Sequence, residues 1–267
     1  MKIVEIFGLS GAGKTSIINL VINKSPNIHS MDRVLSNSIL PSFRKFENVS
    51  LNSVERFHIF ICKNFLLKNK FTKKIGCSLL LNSPYINNYF FVNYMLNAPH
   101  FHRFVKDKLF QKNSEFLSAY FGYMNAVVKI YVASELTDNK LVLVDEGPIK
   151  YMQSLLRYTS DCQIKKDIIN ELLDCIQFTS GGIFITVRDH SMLPQRLNQR
   201  KGGAPFNLKY KSSEDLKNAF MEEESNIKII RECMRSRGSL TLDLRANDSI
   251  QVNVERTSKF MMMVGGL

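Results

Sequence analysis

Near the start of the chain, Gly8-Leu9-Ser10-Gly11-Ala12-Gly13-Lys14-Thr15 combines glycines, a lysine and a hydroxyl in the pattern GxxxxGK[ST]. Glycines let a backbone curl until successive amide N–H groups point at one β-phosphate, and a helix N-terminus placed there adds a favourable dipole. At this spacing Lys14 bridges the β- and γ-phosphates, and Thr15 offers its hydroxyl to magnesium. Gly8, Ser10, Gly11, Ala12, Gly13, Lys14, Thr15 and the following Ser16 are therefore the expected triphosphate-binding set.

A second group of chemical residues closes the segment LVLVDEG, where Asp145 and Glu146 follow four apolar residues. An acid at such a strand end reaches magnesium directly or through water, as a Walker B carboxylate does, which makes Thr15 and Asp145 the expected metal ligands. Glu146 is then free to accept a proton from an attacking hydroxyl. The plain alternative is a surface loop that begins with two acids. A third group is Arg196 and Arg200, four apart, which on a helix share a face and can both aim at a triphosphate. Lys201, Gly202 and Gly203 continue it, so residues of about 190–206 read as a mobile lid that excludes water. In a chain with 36 Lys and Arg, the same pair also suits an ordinary exposed helix face.

These groups need a scaffold, and the pattern of the chain supplies one. KIVEIF (2–7) reads as a buried parallel strand, and Ile17, Ile18, Leu20 and Val21 fit a helix opening near Gly13. A short second strand is expected at 28–31, with Asp32 and Arg33 at its end. LVLV (141–144) reads as a strand buried on both faces, and IFITV (183–187), introduced by Gly181 and Gly182, reads as a further strand. Helical stretches are expected at about 149–178, broken at 159–161, at 213–237, and from Ile250 onward, with the strand SLTLDL (239–244) before the last. Residues 40–132 read as a helical, aromatic insertion, its Phe and Tyr more often core than ligand platform. Strands alternating with helices imply a parallel sheet with helices on both faces and ligands beyond the carboxyl ends of the strands.

Composition sets the outer limits. The 267 residues are 45% hydrophobic, enough for a full core, and carry a formal charge of +12, which favours polyanionic ligands such as nucleotide phosphates. No interleaved basic and aromatic motif of a nucleic-acid module is present, which argues against nucleic acid as partner. Five cysteines are spread widely with no CxxC pair, so neither zinc nor a disulfide framework is expected, nor is haem. No apolar run is long enough to span a bilayer, and the phosphate-loop strand leaves no room for a signal peptide, so a cytoplasmic location is expected. The oligomeric state stays open, a homodimer included.

Taken in order, GLSGAGKT, the acid at Asp145, IFITV followed by Arg196 and Arg200, and LTLDLRANDSIQVNVE make the chain resemble the P-loop kinases of the thymidylate kinase and deoxynucleoside kinase group. The resemblance covers roughly the first 33 residues and about 140–260. It implies a P-loop NTPase fold, with a kinase-like core at 1–39 and 133–267 and the insertion at 40–132 as the acceptor-binding region. It also implies ATP with Mg2+ as donor, and a late loop, Arg245, Ala246, Asn247 and Asp248, lying against the adenine. Those kinases usually carry an arginine directly after the strand-end acid; this chain has Glu146, then Gly147 and Pro148. An acid there repels a phosphorylated acceptor. The expectation is therefore phosphorylation of a hydroxyl on a nucleoside, sugar or related small metabolite, with Lys14, Asp145, Glu146, Arg196 and Arg200 as catalytic residues and Glu146 or Asp32 as base.

Two other readings compete. Arg33, Lys150 or Arg157 placed against an acceptor phosphate would instead give a nucleoside monophosphate kinase of the thymidylate kinase kind. A switch or regulatory ATPase acting on a macromolecular partner is the third. Against its commonest forms, Asn139-Lys140 runs into Leu141-Val142 rather than a guanine-binding NKxD motif, and Thr179-Ser180-Gly181-Gly182 runs into a strand rather than a transporter signature.

Overall fold

The structure is a computed structural model, and it describes residues 1–31, 33–34, 98–110, 114–136, 140–145, 147–175, 179–198 and 212–266. In chain order the elements are β1 (Lys2–Gly8), α1 (Lys14–Lys24), β2 (Ile28–Ser30), α2 (Pro99–Phe110), α3 (Ser114–Leu136), β3 (Leu141–Val144) and α4 (Pro148–Leu155). There follow a 3-10 turn (Leu156–Tyr158), α5 (Cys162–Cys175), β4 (Thr179–Thr186), α6 (Met192–Asn198), α7 (Ser213–Ser236), β5 (Leu240–Arg245) and α8 (Ile250–Gly265).

The uninterrupted apolar runs of β1 and β3 belong to strands covered on both sides, and both are buried along nearly their whole length. All five strands form one sheet in the order β2-β3-β1-β4-β5, and every pairing is parallel. The α/β architecture expected from the alternation is thus present. The two faces can be told apart at adjacent residues of β4. A side chain on Gly181 would meet Phe260 of α8, whereas one on Gly182, facing the other way, would meet Met234 of α7. Helices α1 and α8 pack together on the first face, and α4 and α7 on the second.

Strand β4 begins earlier than its apolar run, at Thr179, so Gly181 and Gly182 lie within it rather than leading into it. The reason is a register shift: Ile3 pairs with Thr179 but Val4 with Gly181. The hydroxyl of the skipped Ser180 accepts the Ile3 amide at 3.2 Å, replacing the lost ladder bond. Small residues are required here because helices from both faces press on the strand.

Of the expected insertion at 40–132, the described part comprises α2 and most of α3. Phe101, Phe116 and Tyr123 are fully buried there. Phe116 meets Phe104 edge-on at a ring separation of 5.5 Å and Tyr158 at 5.2 Å, the geometry of aromatic core packing. The break expected at 159–161 falls between the 3-10 turn and α5, where Asp161 caps the new helix by accepting the Gln163 and Ile164 amides. Among the described residues, no helix is long and apolar enough to cross a membrane.

Candidate functional site

The chain leaves β1 towards α1 on one face of the sheet and leaves the adjacent β3 towards α4 on the other, so the two connections diverge. That divergence opens a crevice at the carboxyl end of the sheet, the place where parallel α/β sheets bind ligands. The loop after β1 and the acid after β3 form its two sides.

Positive backbone angles at Gly11 (φ 87°) and Gly13 (φ 90°) make the loop curl, a conformation that costs a side-chain-bearing residue energy. Gly8 is required for a different reason: a Cβ there would lie 2.6 Å from the Ile185 carbonyl of β4. Helix α1 starts at Lys14 with no side-chain cap. The N-terminus of this helix directly adjoins the loop, an arrangement suited to an anion. The Lys14 ammonium curves back over the loop and donates to the carbonyls of Gly8 (2.9 Å) and Leu9 (3.2 Å). Thr15 Oγ1 donates to Asp145 Oδ2 at 2.8 Å, closing the crevice between β1 and β3.

Helix α6 lies over the same loop. Arg196 Nη1 reaches the Gly11 carbonyl at 3.5 Å, and the Leu193 and Arg196 side chains sit where a Cβ on Gly11 would make contact. Asp189 supports this helix's approach, its carboxylate accepting the Ser191 amide at 2.9 Å, a bond that holds its pKa below the usual value. Lys14, Thr15, Asp145 and Arg196 are thus brought to one place from three widely separated parts of the sequence. Arg33 lies just past β2, at the same end of the sheet, its amide bonded to Ser30 Oγ. Arg245 ends β5, and the following turn is fixed when the Ala246 amide donates to the Thr186 carbonyl (2.9 Å) and Asn253 Nδ2 to the Arg245 carbonyl (2.8 Å).

Arg157 is not brought to this group. It follows α4 at the far end of that helix, about 13 Å from its start at 1.5 Å per residue. There it is ion-paired with Glu223 of α7, whose side chain is almost fully buried. Burial lowers the pKa of Arg157, against the opposing pull of the neighbouring acids Glu222 and Glu115. Asp32, Glu146 and Arg200 lie outside the described residues, as does the expected lid beyond Asn198.

One participant was not expected. Glu5, in the middle of β1, is completely buried, and its carboxylate accepts the amides of Ile149 and Lys150, each at 2.9 Å. It caps α4 from another strand: Gly147 at the helix start offers no side chain, and Pro148 has no amide to donate. Gly147 packs so closely that a Cβ there would lie 2.5 Å from the Glu5 carboxyl carbon. Burial pushes the Glu5 pKa up to about 8 although the bonds from Ile149 and Lys150 oppose the rise. The available signal was an acid in the interior of KIVEIF, a run whose residues after Lys2 are otherwise apolar and destined for burial on both faces.

No protein-family model matches the chain, and no curated protein matches its sequence. The chemistry of the site rests on its own geometry.

Proposed function

We propose that the chain has a P-loop NTPase fold and acts as an ATP- and magnesium-dependent phosphotransferase on a hydroxyl of a small molecule. The observation that carries this reading is the Thr15–Asp145 hydrogen bond beneath a glycine loop that also holds Lys14. A hydroxyl and a carboxylate within 2.8 Å of each other suit two neighbouring positions in the coordination shell of magnesium, which takes few protein ligands and draws the rest from phosphate and water. Thr15 and Asp145 would hold magnesium there, and the ion would supply positive charge to offset that of the triphosphate. Lys14 exchanges its loop carbonyls for phosphate oxygens, and Arg196 adds a second cation from the side of α6. The loop at Arg245–Asp248 is placed two strands from β1, which suits contact with the base.

Phosphorylation of a hydroxyl is favoured over a phosphorylated acceptor because Arg157, a candidate cation for an acceptor phosphate, is engaged by Glu223. Resemblance to the thymidylate kinase and deoxynucleoside kinase group supports the same class of reaction. Glu146, next to Asp145 in sequence, is the proposed base. The test is magnesium-dependent ATP turnover measured against a panel of nucleosides, sugars and nucleoside monophosphates. One hydroxyl acceptor should raise turnover sharply, and Glu146→Gln should lower it by about two orders of magnitude or more while nucleotide affinity is kept. A panel with no responsive compound would count against a kinase, and a monophosphate as best acceptor would select the thymidylate-kinase-like alternative.

A further inference from the structure

On its β5 side the sheet ends without a further strand among the described residues. The Ala246 amide and the Leu244 carbonyl both bond to Thr186 of β4. Backbone direction alternates along a strand, so the amides and carbonyls of Thr241 and Asp243, and the amide of Arg245, point the other way, to the open edge. Such an edge is a template for another strand.

The edge is also the floor of a groove of about 690 Å³. Its α7 wall carries Arg231, which binds Asp243 at 3.2 Å while Arg235 binds the same carboxylate at 2.7 Å. Its α8 wall carries Arg256, paired with Asp248 at 3.1 Å, and Lys259, paired with Glu255 at 2.7 Å, and Arg245 stands at the upper end with no ion pair among the described residues. With Arg235 and the acids that pair with these cations included, five cations against Asp243, Asp248 and Glu255 leave the groove and its rim with a net charge of +2. Apolar surface is interleaved: Met263 is 56% exposed and Leu242 half-buried in the lining, and Leu240, 42% exposed, begins the same strand.

We propose that this groove is a docking site for an extended acidic peptide segment of a partner protein, which adds to β5 as a sixth strand. Backbone pairing supplies attachment, and alternating acidic and apolar side chains match the cations and the Leu240–Met263 surface. A second copy of this chain fits poorly, since pairing along β5 sets one set of cationic walls against another. Single-stranded nucleic acid fits poorly as well, because Phe260, the aromatic residue of the groove, is buried and offers no stacking face.

The experiment uses the full chain and a fluorescein-labelled octapeptide of alternating glutamate and valine, with anisotropy and amide hydrogen exchange as readouts. Binding that weakens with salt, with slowed exchange at Thr241, Asp243 and Arg245, is expected. Arg256→Glu with Lys259→Glu should weaken binding about tenfold or more. Thr241→Pro, which removes an outward amide and leaves the β4 ladder intact, should do the same. Should either variant unfold, a backbone N-methylated octapeptide tests strand pairing on the unaltered protein and should fail to bind. Equal binding of a lysine–valine octapeptide, protection of the same amides by an oligothymidylate, self-association through β5, or undiminished binding by the N-methylated peptide would overturn the proposal.

Discussion

The Thr15 hydroxyl lies 2.8 Å from the Asp145 carboxylate across 130 residues of sequence, joining the loop of one strand to the end of its neighbour. Replacing Asp145 by Asn keeps the shape and an acceptor oxygen but removes the charge that would balance magnesium. The magnesium-dependent part of ATP affinity should fall on the order of 10–100-fold, while any metal-independent part is retained. Isothermal titration with and without magnesium measures both; equal losses in the two conditions would remove Asp145 from the metal site.

Gly13 tests the backbone instead. A Cβ there meets nothing within 4 Å, yet φ is +90°. The cost of Gly13→Ala is therefore conformational, roughly 1–2 kcal/mol if the loop keeps its shape. Thermal unfolding should show a drop of about 2–4 °C per kcal/mol. Nucleotide binding should weaken further, because the amides move off their common target.

Glu5 gives the protein a pH dependence with a definite sign. Its folded-state pKa, about 8, is above the ordinary 4.5, so between these values the folded protein holds a proton that the unfolded chain releases. Stability from this group is full below pH 4.5 and is lost as pH rises through about 8, with a slope of up to about 1.4 kcal/mol per pH unit. Denaturant unfolding at a series of pH values should show that decline in the unaltered protein and a flatter profile in Glu5→Gln. Parallel profiles would assign the dependence to other groups.

Gly147→Ala separates packing from backbone strain. Its φ of −98° suits any residue, but the added methyl group would collide with the Glu5 carboxyl carbon at 2.5 Å. Glu5 is buried and tied to two amides, so it cannot move cheaply, and a loss of about 1–3 kcal/mol is expected. Magnesium-dependent binding should weaken with it, since Asp145 is two residues away. A calorimetric melting temperature unchanged from the parent would show that the contact yields without cost.

The sequence made the local parts of this arrangement readable. GLSGAGKT is a contiguous pattern whose glycines answer to backbone geometry, and LVLV marks a strand covered on both faces, so the sequence singles out Thr15 and Asp145, which the fold brings into contact. What escaped was set by distant partners. Glu5 reads as a flaw in an apolar strand until the amides of Ile149 and Lys150 arrive, 144 and 145 residues later. The early start of β4 depends on Ser180 replacing a ladder bond to Ile3. Arg157 looks like an available cation because Glu223 is remote in sequence, and nothing in LTLDLR declares that β5 will be the outermost strand among the described residues.

The central position of β1, between β3 and β4, also fixes when the molecule can finish folding. Its neighbours are residues 141–144 and 179–186, so the first strand waits for most of the chain before both flanks are filled. At ribosomal speeds of about 5–20 residues per second, that wait is on the order of 10–40 s, during which an apolar strand lacks at least one of its two neighbours. Such long-range parallel pairing is slow to form and open to aggregation. Nascent chains stalled before β4 should therefore be protease-sensitive throughout KIVEIF, with protection gained abruptly once residue 186 has cleared the exit tunnel.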